Sequence, residues 1–443
     1  MKRSLLVLML FIGLLQPSFI TSSAALPHFS ESNTPSFNTS HRAPVLGADL
    51  VYANWPHNMI EAWRDEAKGR AMTDAFKSAG LDSLRFSSHG FYSHRGPEAT
   101  TAVKAENKVP NEFPWFPIEN YAAYIAANDF TSVLGINVEE GPDVALEMVE
   151  RFIHIAGKKK LVAVELSNEP WLNHRPWRPE EYATRAADVI ERLTSLKVKF
   201  ALPLTVGTEK NTPTKLSDNQ WNTRMLRALS ARIDLKNRTD IYGVLHLYSR
   251  GVSADAVHKF NAAVKPFAPR MRYLVTEFNI RLSLDGNPHL TNEYAMEFAR
   301  KLAELMAEPD IEALYVHGVP YHSIVYWSDG RRVLTVNRHR DLRITGEAKT
   351  RGWHLTPAGK VYHLYSTLSW KGDVIEYRGG SQSYWAVKAQ GGHIIVTMLN
   401  DSSKATKKKV KLAGREWNLS APARSIVCFD QNGRAIETLS LNY

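Results

Sequence analysis

Cysteine is almost missing: Cys428 is the only one in 443 residues, so no intramolecular disulfide can form and stability must come from packing. Cys428 lies in the apolar run RSIVCFD and is expected in a strand, as a small core residue. The sixteen histidines show no close His–His or His–carboxylate spacing that demands a metal. Zinc-finger spacing and a Walker loop are absent too, which argues against nucleic acid as a partner. No Gly-rich turn follows the first strand-like run, where DLVYANWPHN stands, and this disfavours an open nucleotide-binding sheet. The N-terminal apolar run, Leu5 to Leu15, is too short to span a bilayer comfortably, and no cysteine follows it to carry a lipid.

What that N-terminus does contain is a signal-peptide pattern. Lys2 and Arg3 form the charged region, Leu5 to Leu15 the apolar region and Ser22 to Ala25 a small-residue cleavage zone. Residues 1–25 therefore predict a cleaved leader and a secreted or periplasmic protein with no stable membrane anchor. The formal charge of +10 falls to +8 on losing Lys2 and Arg3, since residues 1–25 carry no acid. A basic exported protein is drawn to anionic polymers or surfaces, which leans the substrate towards acidic polysaccharide; arginines 95, 175 and 178 suit such a substrate. The clusters Lys158–Lys160 and Lys407–Lys409 read as solvated faces. Asn38, Asn237, Asn400 and Asn418 head glycosylation sequons.

Residues 26–42, rich in Ser, Asn, Thr and Pro, predict a tether whose end can pair with a terminal sheet. From 43 to 370 the chain alternates. Strand-like runs occupy 45–53, 81–88, 130–138, 161–167, 200–207, 241–249, 272–280 and 311–319, with helical-period stretches between them and a last helix over Pro357–Ser369. Eight such alternations in roughly three hundred residues predict a (β/α)8 TIM barrel. Residues 371–443 change texture, to short alternating runs with Gly, Asn and Ser between them, and predict a small C-terminal all-β, sandwich-like domain. Its Tyr384, Trp385 and Trp417 either bind carbohydrate or fill its own core.

Two of the barrel runs end in glutamate. VAVELSNEP delivers Asn168-Glu169-Pro170 and YLVTEFNI delivers Glu277, both at the strand ends where barrels place their chemistry. The chain has three Asn–Glu pairs, but those at 111 and 292 do not end a strand. A strand-end glutamate is often only a rim ion pair. Glu169 has better company: Asn168 can hydrogen-bond a sugar hydroxyl, and Trp171, His174 and Trp177 offer aromatic faces. Two carboxylates opposed in this way suit cleavage of a glycosidic bond, one as proton donor and one as nucleophile.

Four strand ends, VELSNEP, VTEFN, HLY and LRF, resemble the motifs of the clan A glycoside hydrolases, in the right order and over about residues 43–370. The Glu-x-x-Asn-Glu-Pro form and the β-rich C-terminus are similar to the branch with xylosidases, arabinofuranosidases and heparanase-like glucuronidases. The resemblance implies a retaining glycosidase with Glu169 as acid/base and Glu277 as nucleophile. It implies Arg85 beneath the nucleophile, Tyr248 hydrogen-bonded to it and Asn168 on the substrate 2-hydroxyl; His246 is a site-wall hydrogen-bonder or a satisfied core histidine, and the strand-six match favours the former. It also implies no metal and no cofactor. The retaining reading predicts carboxyl groups about 5–5.5 Å apart. Trp327 is a candidate aromatic floor or a core residue, and Glu165 is expected to pair with a buried cation such as Arg85 or to join a polar core network. The loop from Ser87 to Pro117, with His89, Tyr92, His94, Arg95 and Trp115, is expected to shape the cleft; Glu139 and Glu140 are rim or solvated acids. A transglycosylase with the same site and a non-catalytic carbohydrate-binding barrel are the rival readings.

Overall fold

The structure, a computed structural model, describes residues 36–37, 40–50, 66–86, 118–171, 177–205, 215–248, 253–280, 290–317, 323–330, 333–334 and 350–442. The leader, most of the expected tether, the loop 87–117, and residues Asn38, His174 and Arg175 lie outside these.

Two short strands, β1 (Ser36–Phe37) and β2 (His41–Arg42), come first. Eight parallel strands then close a barrel: β3 (Val45–Asp49), β4 (Ser83–Phe86), β5 (Thr131–Ile136), β6 (Leu161–Leu166), β7 (Phe200–Pro203), β8 (Ile241–Tyr248), β9 (Tyr273–Asn279) and β10 (Ile311–His317). The last strand pairs with the first, His317 in register with Asp49. All eight strands fall within the runs expected from hydrophobic patterning. They are buried along nearly their whole length, as strands covered on both faces must be.

The covering helices are α1 (Glu66–Ser78), α2 (Ile118–Ala127), α3 (Pro142–Ala156), α4 (Pro179–Leu193), α5 (Asp218–Ser230), α6 (Ala254–Val264) and α7 (Asn292–Met306). Their starts are written in the sequence. Pro142 and Pro179 occupy first turns, and Ser217, Ser253 and Thr291 accept a backbone N–H as N-caps. Each turns an apolar stripe inward; α3 buries Val144, Met148, Val149 and Phe152, at about 1.5–3 kcal/mol per large side chain. Inside the barrel Tyr315 takes the space beside Gly47, where a Cβ would meet its ring at 2.5 Å.

After the barrel comes a small antiparallel sheet of β11 (Val325–Asp329), β12 (Val333–Leu334) and β13 (Arg351–Leu355). Sequence patterning did not anticipate it. The expected last helix is α8 (Pro357–Leu364), continued by one wide turn over Tyr365–Ser369. The antiparallel β region follows, with β14 (Gly372–Arg378), β15 (Gln382–Ala389), β16 (Ile394–Asn400), β17 (Thr406–Leu412), β18 (Arg415–Ala421), β19 (Ser425–Phe429) and β20 (Ala435–Ser440). One sheet runs β1-β14-β15-β16-β19-β20, with β2 also on β14, and β17 and β18 form a hairpin. The expected pairing of the tether's end with the terminal sheet is thus present. Within this region patterning missed the exposed strand β20.

Tyr384, Trp385 and Trp417 are buried, so they fill the core of the β region. Trp385 stacks on Trp370 with ring centroids 5.0 Å apart. Cys428 lies fully buried in β19, where burial pushes its thiol up to about 11. Asn400 is no free glycosylation acceptor: it is fully buried, and its amide donates to the backbone oxygens of Lys404 and Pro422.

Candidate active site

Arg85 organises the carboxyl end of the barrel. Its side chain projects from β4 with no exposed surface, and all five of its N–H donors are used. Nε donates to Glu165 Oε2 at 2.9 Å and Nη2 to Glu165 Oε1 at 2.6 Å, a bidentate pair. Nη1 reaches Asp49 Oδ1 at 3.0 Å and Glu277 Oε1 at 2.7 Å, and Nη2 also reaches Asn168 Oδ1 at 2.6 Å. Burial alone would strip charge from the guanidinium, but Glu165, Asp49 and Glu277 outweigh it and hold its pKa up. Strands β3, β4, β6 and β9 each contribute one member of this network.

Glu277, near the end of β9, is almost fully buried. Burial favours its neutral form, yet the charges of His246, His317 and Arg85 and a hydrogen bond from Tyr248 prevail. They hold the carboxyl well below the usual carboxylate range, so Glu277 is ionised across working pH. Its Oε1 takes the guanidinium and its Oε2 takes the Tyr248 hydroxyl. Burial, with the Glu277 charge next, pushes the Tyr248 hydroxyl well up and keeps it a donor.

The end of β6 is bent to deliver Glu169. Ser167 and Glu169 both sit in the left-handed region, at φ of 71° and 41°, on either side of Asn168. Non-glycine residues rarely occupy it, and the cost, of order 1–3 kcal/mol each, persists only where neighbours enforce it. Here they do: Ser167 N–H donates to Ile136 O, Ser167 Oγ accepts from Val138 N–H, and Tyr182 of α4 donates to Leu166 O. Glu169 is left partly open, and its Oε1 lies 3.0 Å from Nδ1 of His246. The same Nδ1 is 3.5 Å from Glu277 Oε2. Those two distances laid end to end limit the separation of the glutamate oxygens to about 6.5 Å. His246 Nε2 pairs with Thr276 Oγ1 at 3.1 Å. Burial acts to lower the pKa of His246, but Glu277 and Glu169 more than reverse this and leave it raised.

Six expected residues therefore meet at one place: Arg85, Asn168, Glu169, His246, Tyr248 and Glu277. Glu165 is there too, on Arg85 as anticipated. Two aromatic expectations resolve differently. Trp171 is buried and packs edge-on against Trp221 at 5.3 Å, which is a core position and no open sugar platform. Trp327 is half-buried in β11, edge-on to Trp353 at 5.5 Å. Glu139 accepts from the indole N–H of Trp177 at 2.9 Å.

Two site residues had not been singled out. Asp49 and His317, at the ends of β3 and β10, pair through His317 Nδ1 and Asp49 Oδ2 at 2.7 Å. The signal was present, since VLGAD and ALYVH are strand-end polar residues of the same kind as Glu277. Asp49, Glu277 and His317 each bring one ligand-type atom within 4.8 Å of the others. Arg85 is hydrogen-bonded to both carboxylates of that group, so its guanidinium already supplies positive charge there.

No protein-family model matches the chain, and no curated protein sequence does. Solved structures do match. An endo-β1,6-glucanase, BT3312, aligns over 87% of this chain and 90% of its own, with a TM-score of 0.55 and 13% identity. AbfB, a family 51 α-L-arabinofuranosidase from Bifidobacterium longum, aligns over 86% of each chain, with a TM-score of 0.56 and 12% identity. A GH39 β-xylosidase from Caulobacter crescentus covers 84% of this chain and 80% of its own, at a TM-score of 0.52 and 12% identity. The structural neighbours are clan A glycoside hydrolases, and this chain has their barrel fold with its β-rich C-terminal region.

Proposed function

We propose that the protein is an exported retaining glycoside hydrolase, with Glu277 as nucleophile and Glu169 as acid/base. One observation carries this: a strand-end carboxylate held ionised by Arg85 and Tyr248 faces, across one imidazole, a second carboxylate that is partly open. A separation of no more than about 6.5 Å between the two oxygens supports the retaining geometry, because the inverting gap begins at roughly that value.

In the first step Glu277 attacks the anomeric carbon. The glycosidic oxygen leaves with a proton delivered through Glu169 from the Glu169–His246 pair. A glycosyl ester of Glu277 and a free aglycone result. In the second step Glu169 takes a proton from water, the water oxygen bonds to the anomeric carbon, and the ester bond breaks. The electron pair returns to Glu277. The N-terminal leader pattern supports export, and the basic net charge favours acidic polysaccharide over neutral polymers as substrate.

The test is hydrolysis across neutral and acidic polysaccharides and aryl glycosides, with Glu169→Ala and Glu277→Ala alongside. Wild-type activity that collapses in Glu277→Ala, and azide rescue of Glu169→Ala on an activated aryl glycoside, is the expected result. Polymer binding without turnover in all three proteins would replace this reading with that of a carbohydrate-binding barrel.

A further inference from the structure

A two-carboxylate mechanism needs one acid and one nucleophile, yet this site builds in a second imidazole. His317 stands at the end of β10 with its side chain 12% exposed. Its Nδ1 is 2.7 Å from Asp49 Oδ2 and 3.5 Å from Glu277 Oε2. Its ring meets the ring of Tyr248 edge-on, 5.3 Å between centroids at 88°. Asp49 is wholly buried, and its other oxygen accepts from Arg85, the group that also holds Glu277 Oε1. The nucleophile is thus gripped from two sides, and Asp49 ties the two grips together.

We propose that the Asp49–His317 pair is a positioning device that sets Glu277 up as a leaving group in the second half of the reaction. The proposal rests on the glycosidase reading above. When the ester forms, the negative charge on Glu277 is spent; when water displaces the sugar, that charge returns. A cation 3.5 Å from Oε2 favours the return and disfavours the spending. Asp49 accepts the Nδ1 proton, which fixes the ring's orientation and keeps a counter-charge against it. Among the described residues, charged and titratable groups that face the ring include Asp49 on β3, Arg85 on β4, Tyr248 on β8 and Glu277 on β9. Burial opposes the cationic ring, but Glu277 and Asp49 outweigh burial and raise its pKa.

His317→Asn keeps an N–H for Asp49 and removes the charge. On a dinitrophenyl glycoside of the sugar that the wild type cleaves, ester hydrolysis limits turnover. There the variant is expected to lose about tenfold or more in kcat with a matching fall in KM. A larger pre-steady-state burst should accompany this, with kcat/KM within about threefold of wild type. A loss in kcat/KM equal to the loss in kcat, with no added burst, would overturn the proposal while leaving the glycosidase reading intact. A wild type that cleaves no glycoside would remove that reading instead. Should His317→Asn fail to fold, NMR titration of the His317 ring decides. Replacing Glu277 by Gln should lower the ring's midpoint by about one pH unit or more, and an unmoved midpoint would sink the proposal.

Discussion

Arg85 shows how much one residue can be asked to do. A lysine keeps the charge but not the planar fork, and can satisfy at most three of the five acceptors now served. Glu165, Asp49 and Glu277 would then share too little positive charge in a buried place. Arg85→Lys should lower kcat/KM by a hundredfold or more and destabilise the fold by about 3–5 kcal/mol, read by steady-state kinetics and denaturant unfolding. Tyr248→Phe is milder. It removes one donor to Glu277, so the nucleophile's pKa should climb towards the ordinary range. The acid limb of the kcat/KM–pH profile should shift to higher pH, and an unshifted limb would show that the hydroxyl does not tune the nucleophile. At this scale the sequence was readable where a residue carried a motif. Glu169, Glu277, His246 and Tyr248 could be named because they stand in runs such as SNEP and HLY. Asp49 and His317 end strands too, but no motif surrounds them, and what makes them functional is each other, across the first and last strands of the barrel.

Elements were legible where period and caps agreed. Helices α3 to α7 begin within a residue or so of their Pro, Ser or Thr signals, because an N-cap is a local transaction between a side chain and the next backbone N–H groups. The sheet of β11 to β13 was not legible, since β12 has only two residues, too few to show a period, and pairs only with β11. Strand β20 escaped for another reason. It is mostly exposed, so no buried face imposes a period on it. The turn after α4 offers an element-scale test. Lys197 is exposed there with φ of 51°, in the left-handed position where glycine is at ease. Lys197→Gly should therefore raise stability by up to about 1 kcal/mol, measured by thermal unfolding.

Across the whole molecule, titration pulls stability towards mild acid. Glu277 is depressed in the fold, so its contribution is present above the unfolded carboxylate value and is lost only as pH falls through its own low value. His246 and His317 are raised, so theirs is complete below about pH 6.5 and disappears as pH climbs through the folded values. Glu308 adds to the same slope. Burial, against the pull of His258, pushes it up to about 7, so stability declines as the unfolded chain ionises above its ordinary value of 4.5. Thermal midpoints should peak near pH 5–6 and fall towards pH 8. Glu308→Gln should flatten part of that fall and leave the pH 5 midpoint almost unchanged; an unaltered slope would exclude Glu308 as a contributor. The C-terminal region is equally bound up with the whole. Tyr365, Trp370, Tyr377 and Trp385 belong to one continuous core with the barrel helices. Deleting residues 371–443 should thus cost soluble yield, where a detachable binding module would leave a soluble, active barrel.

The joint between Asp49 and His317 closes the barrel as well as supporting Glu277. These residues are 268 positions apart and face each other in the seam that joins the first strand of the barrel to its final one. Any intermediate that has formed most of its helices but not this seam holds its nucleophile without its full support. Activity during refolding should therefore return after helicity, and the interval between them times the closing of the ring.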